Sequence, residues 1–220
     1  MSWESTELYY RKINEETKRA LGGLHSAQIA MVSVDFQGLE ELMQKDDWAA
    51  CAEILTVKAR QVEAAGADFL LICTNTLHRV APEIEAAIEI PLLHIIDATA
   101  GVVREAGIET VGLLGTGFTM EQDFYKGGLE QHGLSVMVPP AEDRQVVHRV
   151  IFEELCLGKV LDESRDEYLR IIDDLRANGA EGVIAGCTEI FLLVDQEHTD
   201  VALFDTTAIH AQAAVAEALR

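Results

Sequence analysis

The chain has 220 residues, 49% of them apolar, enough for one large packed domain or two small ones and too much for a disordered chain. Thirty-eight acidic side chains against 17 basic ones leave a formal charge of −21. Such a chain repels polyanions and has no basic stripe for a phosphate backbone, which excludes nucleic acid as an expected partner. No stretch reaches the ~18 continuous apolar residues of a membrane span, and Met1-Ser2-Trp3-Glu4-Ser5 does not open a signal peptide, so a cytoplasmic protein with no membrane partner is expected.

In chain order, apolar residues recurring at three and four predict a helix over 7–21. A β-rich run predicts a strand over 29–34, and a helix over 48–65 and a strand over 69–73 come after it. Further along, the pattern predicts strand 111–114, helix 122–131, strand 134–138, helices 148–157 and 163–178, strands 183–185 and 201–204, and helix 208–219. Alternation of this kind predicts an α/β fold with parallel sheets flanked by helices.

Two stretches repeat each other. Ala65-Gly66-Ala67-Asp68 leads through an apolar run to Cys73-Thr74, and Asn178-Gly179-Ala180-Glu181 leads through another to Cys187-Thr188. Each cysteine is followed later by an apolar run into aspartate and threonine, Ile95-Ile96-Asp97-Ala98-Thr99 and Leu203-Phe204-Asp205-Thr206-Thr207, both read as strand ends. The expectation is two pseudo-symmetric α/β domains, residues 1–98 and 99–207, facing each other, with the C-terminal helix 208–220 a candidate to pack on the first. Residues 110–116 open the second half as strand and loop, whereas the first half opens directly at Met1-Ser2-Trp3-Glu4, so its first strand is expected to be missing. Loss of a central parallel strand would unpair the backbone groups of both neighbours.

The chemistry concentrates at the two cysteines. Ile72-Cys73-Thr74-Asn75-Thr76 and Gly186-Cys187-Thr188-Glu189 put a thiol where a strand stops and a helix is expected to start, the edge at which open α/β sheets bind ligands. Helix N-termini there should lower a thiol pKa and hold a substrate carboxylate. Thr74, Asn75, Thr76 and Thr188 can cap those helices or donate to ligand oxygens. Two thiols on opposite faces of a Cα are what stereochemical inversion needs, one removing a proton and the other delivering one. The six lysines, Lys12, Lys18, Lys45, Lys58, Lys126 and Lys159, fall in polar or amphipathic helical surroundings, and none is placed like a Schiff-base lysine. No cofactor is expected. The cysteines form no zinc-binding spacing, so no metal is expected either, and Cys51 and Cys156 read as core residues. His94 and His210 could orient a thiol or simply cap and pack. The glycines of 112–117 form neither a dinucleotide nor a Walker fingerprint.

At these residues the chain resembles the aspartate/glutamate racemase family, in its broad-specificity amino-acid racemase branch. The resemblance is carried by Met1-Ser2-Trp3-Glu4-Ser5-Thr6, residues 23–27, Cys73-Thr74-Asn75-Thr76, Leu114-Gly115-Thr116 with Thr119-Met120-Glu121, Phe152-Glu153-Glu154-Leu155 and Gly186-Cys187-Thr188-Glu189. It implies two pseudo-symmetric domains with the active site between them, a homodimer, and inversion without pyridoxal phosphate, metal or nucleotide. It also implies Cys73 and Cys187 as acid/base thiols, Thr74, Asn75, Thr76 and Thr188 as ligands of the substrate's carboxylate and amino groups, and Ser2, Thr116 and Thr119 lining the same cleft. Aspartate-selective relatives carry basic side chains near the distal carboxylate. Ser33-Val34-Asp35-Phe36-Gln37 offers no arginine and Lys159 is no secure match, so strict aspartate selectivity is not expected. Relatives also carry a glycine-rich strand immediately before the Met-Ser segment, and a chain without it is a candidate for weak activity. The expected function is racemisation of small amino acids such as glutamate, aspartate or neutral relatives. The alternatives are an isomerase or decarboxylase of another small carboxylic acid on the same fold, or a non-catalytic small-ligand-binding protein.

Overall fold

In the computed structural model, which describes residues 2–220, helix α1 (Trp3–Leu21) starts where the Ser2 side chain accepts a hydrogen bond from the Ser5 backbone N–H. It begins four residues before the periodic stretch because the cap, and not the apolar stripe, sets a helix's first turn. Asp35 and Asp47 cap α2 (Phe36–Gln44) and α3 (Trp48–Ala64) in the same manner. These two helices pack through Leu39, Met43, Cys51 and Leu55, all at most 3% exposed. Cys51 is therefore a core residue as expected. A 3₁₀ turn at Thr76–Val80 leads into α4 (Ala81–Glu85).

These elements belong to one of two compact units, formed by the described residues up to His94 together with Ala211–Arg220; the other is Ile95–His210. In the first unit both expected strands lack a ladder. Residues 28–34 run without turn or bend and pair with no described residue, and the 69–73 run makes a single parallel bridge among the described residues, Leu70 to Leu92. A strand is held by its neighbours, and no described residue lies between these two segments to pair with them.

The second unit holds the sheet. Its elements are α5 (Ile95–Glu105), β1 (Thr110–Gly115), α6 (Gly117–Glu121), α7 (Asp123–Gln131), β2 (Ser135–Met137), α8 (Ala141–Glu153), α9 (Asp162–Ala177), β3 (Gly182–Gly186) and β4 (Ala202–Asp205). Helix α10 (Thr206–Ala218) closes the chain. The strands are all parallel in the order β2-β1-β3-β4, with Gly115 opposite Gly186 and Ala185 opposite Asp205. Side chains alternate between faces. Val111, Leu113 and Ile184 join the cluster under α5 and α7, and Leu114, Val183 and Ala185 join the cluster under α8 and α9. Three expectations are corrected here. The 95–99 run is the first turn and a half of α5 and not a strand; α8 starts at Ala141 and not at 148, with 155–157 a separate 3₁₀ turn; and Lys159 lies outside any helix. Apolar runs of four or five residues have no period long enough to separate a strand from a buried helix start.

Candidate active site

In the second unit the sheet's carboxyl edge gathers the candidate residues. Gly115 and Gly186 are register partners, so Thr116 and Cys187 leave neighbouring strands one residue later, and Thr206 and Thr207 come directly after the end of β4. Both glycines permit this closeness. A Cβ on Gly115 would lie 3.0 Å from the Gly186 carbonyl and 3.1 Å from the Thr119 side chain, and one on Gly186 would lie 3.1 Å from the Leu114 carbonyl. Gly115→Ala is expected to push α6 off the strand end and to destabilise the protein by about 1–3 kcal/mol, as overpacking does. Urea denaturation checks this.

Thr116 caps α6, its Oγ1 accepting the Thr119 N–H at 3.3 Å, while the two hydroxyls sit 3.2 Å apart. The next N–H, that of Gly117, donates to His148 Nδ1 at 3.0 Å, and Phe152 packs against the same ring with centroids 4.9 Å apart. An accepting Nδ1 requires the neutral ring with its proton on Nε2. Burial accordingly lowers the His148 pKa, with Glu121 and Glu153 pulling the other way. Because the folded value lies below the unfolded 6.5, this contribution to stability is complete above pH 6.5. It fades as pH falls through the lowered value. His148→Gln should therefore lose less stability than the parent between pH 7.5 and 5.5, measured as the shift in urea midpoint.

Cys187 is 8% exposed, and its thiol donates to Glu189 Oε2 at 3.0 Å, which also accepts from the Thr188 hydroxyl at 2.5 Å. Glu189 is itself 5% exposed. Burial first, and the adjacent Glu189 charge second, raise the Cys187 pKa well above its ordinary value. The expected lowering by a helix N-terminus is corrected. Each cysteine is succeeded by only a short 3₁₀ turn, Thr76–Val80 after Cys73 and Ile190–Leu192 after Cys187, and the dipole of so short a turn cannot offset desolvation. Thr206 donates to the Ala185 carbonyl at 2.9 Å. The Thr207 hydroxyl, 1% exposed, has no hydrogen-bond partner among the described residues and is an additional polar group at this edge.

The first unit repeats the arrangement. Ser2 caps α1 through the Ser5 N–H at 3.1 Å, and the Ser5 hydroxyl donates to the Cys73 carbonyl at 2.7 Å, tying the helix start to the cysteine. Ser2 and Thr116, Ser5 and Thr119, and Cys73 and Cys187 are each separated by 114 positions. The cap pairs obey the same duplication as the thiols. Burial pushes the Cys73 thiol up to about 11. Asn75 and Thr76 are buried in the turn behind it, and His78, 2% exposed, meets the Thr74 carbonyl through Nδ1 at 2.7 Å and so carries its proton there. His94 sets its ring edge-on to His78, centroids 4.6 Å apart. His210 is fully buried and Cys156 packs against the core of the second unit.

Ser2, Cys73, Thr74, Asn75 and Thr76 thus belong to one unit, and Thr116, Thr119, Cys187 and Thr188 to the other. Met1, which precedes Ser2 in the N-terminal motif, lies outside the described residues. Sequence pattern assigned no role to Glu189, His148 or His78. Glu189 had a signal, an acid two residues after the cysteine, whereas the two histidines reach their places by folding. Among the described residues no group of three His, Cys, Asp or Glu side chains could hold a metal, and no helix is long and apolar enough to cross a membrane.

The family model described as Asp/Glu/hydantoin racemase matches residues 1–214. A crystal structure of an Asp/Glu racemase-like protein from Yersinia pestis is 53% identical with a TM-score of 0.93, covering 100% of this chain and 96% of that one. That of an aspartate racemase homologue from Pyrococcus horikoshii is 34% identical with a TM-score of 0.85, covering 99% and 95%. The broad-specificity amino-acid racemase RacX of Bacillus subtilis is 24% identical over 157 residues, 71% of this chain and 67% of RacX.

Proposed function

Because this chain belongs to the Asp/Glu/hydantoin racemase family, and is by that membership an isomerase of the racemase kind, we propose that it inverts Cα of small amino acids by proton transfer between Cys73 and Cys187, without a cofactor. Glutamate, aspartate and neutral relatives are the substrate candidates. The observation that carries the reading is the duplicated site: two cysteines 114 positions apart, each at the end of an extended apolar run, each with the same capped helix start and each with its thiol pKa raised by burial.

A raised pKa suits both halves of the reaction. The delivering thiol must be protonated before it acts, and burial keeps it so. The removing group must be a strong base, and a desolvated thiolate with a pKa of about 11 is far better matched to a weakly acidic Cα–H than an ordinary one. Forming it at pH 7 costs about 5 kcal/mol, four units at 1.36 kcal/mol each. For Cys187 the adjacent Glu189 carboxylate adds to that cost, since it accepts the thiol's hydrogen bond and opposes a second negative charge beside it, which suits Cys187 to the delivering role. Glu189 is a positioning residue in this scheme, holding the Cys187 thiol protonated and oriented. Reversal of the thiols' protonation states runs the opposite inversion.

Hydroxyl, amide and backbone donors stabilise the negative charge that spreads from Cα onto the carboxylate. Thr74, Asn75, Thr76 and Thr188 are assigned that role in this reading, and the hydroxyls of Ser2, Thr116 and Thr119 are its further candidates. The test is incubation of both enantiomers of an amino-acid panel in deuterium oxide, monitored by circular dichroism and proton NMR. Loss of optical signal with deuterium at Cα is expected for at least one small acidic or neutral amino acid. No deuterium at Cα across the panel would falsify the assignment.

A further inference from the structure

Helix α6 is a fragment. At the 114-residue offset Gly117 matches Trp3, so α6 and α7 together repeat the start of α1, yet α1 runs 19 residues unbroken and α6 stops after five. The break is Gln122, extended at φ −87° and ψ 150°, where the first unit has Leu8 inside α1. A helix this short is far below the ~12–15 residues that hold in water alone, so α6 must be fastened from outside. Its placement matters because it starts at Thr116, one residue past the register pair Gly115 and Gly186, and the Thr116 and Thr119 hydroxyls thereby stand at the strand ends beside Cys187.

Helix α8 fastens α6 at both ends. Arg144, His148 and Phe152 lie successive turns apart on one face of α8. Arg144 Nε donates to Oε1 of Glu121, the last residue of α6, at 2.9 Å, and His148 Nδ1 accepts from the N–H of Gly117, the first, at 3.0 Å. The Glu121 side chain is 55% exposed, and an ion pair of that kind contributes little. The His148 end is the firmer one. Its ring is half-buried between Phe118 and Phe152, with centroids 6.2 and 4.9 Å away, and a Cβ on Gly117 would lie only 3.3 Å from Nδ1. As a first-turn group the Gly117 N–H has no acceptor within its own helix, so the imidazole is what satisfies it.

We propose that His148 is a positioning residue of the racemase site: the neutral ring holds the Gly117 N–H, and through it the Thr116 and Thr119 hydroxyls beside Cys187, and the protonated ring lets them go, so that substrate binding weakens in acid. This rests on the racemase reading, in which those hydroxyls are candidates for the substrate's carboxylate. A proton on Nδ1 turns the acceptor into a second donor facing the Gly117 N–H, and that bond is lost. The carboxylates acting on the ring are Glu121 of α6 and Glu153 of its own helix, which would take up the imidazolium in place of Gly117. The other charges near α8 are already engaged: Arg144 with Glu121, Arg149 with Glu154, and Arg170 of α9 with Asp143, Glu167 and Asp174. Strand β1 brings no ionisable side chain, and the 155–157 turn brings Cys156 alone.

The test takes two readouts on the full chain between pH 7.5 and 5.0. Amide exchange at Gly117, followed by NMR and corrected for the intrinsic effect of pH, should lose protection about fivefold or more as pH falls through the lowered His148 value, below 6.5, while residues 182–186 keep theirs. KM for an amino-acid substrate should rise by about the same factor over the same range. His148→Asn puts an amide oxygen where Nδ1 stands and does not titrate, so in this variant Gly117 protection and KM should both stay flat. His148→Leu offers no acceptor and should show at pH 7.5 the weak protection and high KM of the parent in acid. A merely structural histidine would leave the pH dependence of KM in place in both variants. The proposal is overturned if Gly117 protection in the parent ignores pH, if His148→Asn keeps the parent's acid loss, or if KM stays flat while protection falls. An inactive parent sinks the racemase reading and this proposal with it, whereas an active parent whose Gly117 ignores pH sinks this proposal alone.

Discussion

Serine in place of Cys187 is expected to lower kcat for racemisation in both directions by about 10²–10⁴-fold, and serine in place of Cys73 by a comparable factor. A hydroxyl is several units less acidic than a thiol and cannot become the base, and inversion needs one group on each face of Cα. The two variants should nevertheless differ. Each keeps one thiol, so each should still exchange the Cα proton of a single enantiomer with solvent deuterium while failing to invert it, and the favoured enantiomer should be opposite in the two. Proton NMR of both enantiomers in deuterium oxide measures the exchange, and circular dichroism measures the inversion. Parent-like rates in either variant would remove the two-thiol mechanism while leaving the family assignment intact. Cys51→Ser is the control, since Cys51 is fully buried in the packing of α2 on α3.

Activity should also rise steeply with pH. Burial sets the Cys73 thiol at about 11, so below that value its thiolate fraction grows tenfold for each unit. The sign comes from the role: the thiolate is the base, so kcat/KM for the enantiomer that Cys73 deprotonates should increase about tenfold per unit between pH 7 and 8.5. Cys187 is raised in the same direction, by burial and by the Glu189 charge. Glu189→Gln removes that charge and the acceptor together. The rising limb for the enantiomer served by Cys187 should then move to lower pH, because the charge that opposes its thiolate is gone. A merely structural Glu189 would instead lower activity equally at every pH. Initial rates for both enantiomers across this range decide between the two.

How much of the fold and site was legible in the sequence varies with the physical origin of each feature. In the second unit the strand periodicity located β1, β3 and β4 to within a residue or two, since buried parallel strands are short apolar runs bounded by glycines, and α7 and α9 there, like α3 in the first unit, emerged from their apolar stripes. The 95–99 run failed because its Ile-Ile pair is equally apolar in a strand or in the first turn of a helix. The segments at 29–34 and 69–73 have strand composition but no ladder, because a ladder belongs to a pair of segments and never to one. His148 reaches Gly117 from 31 positions away, a contact without any local pattern.

The amino-acid order alone determines the duplication: two cysteines 114 positions apart, each closing an apolar strand that starts beyond a glycine-ended helix. Strand length, side-chain alternation and glycine caps are local properties, and they suffice to place a thiol at the end of an extended apolar run twice, one of which is a strand of the sheet. Only the tertiary structure decided the protonation of those thiols, reversing the expected lowering to a rise. A pKa is set by the water removed from around a group and by the charges folded against it. Desolvation of Cys73 and Cys187, with Glu189 turned onto the Cys187 thiol, exists only after distant segments have packed.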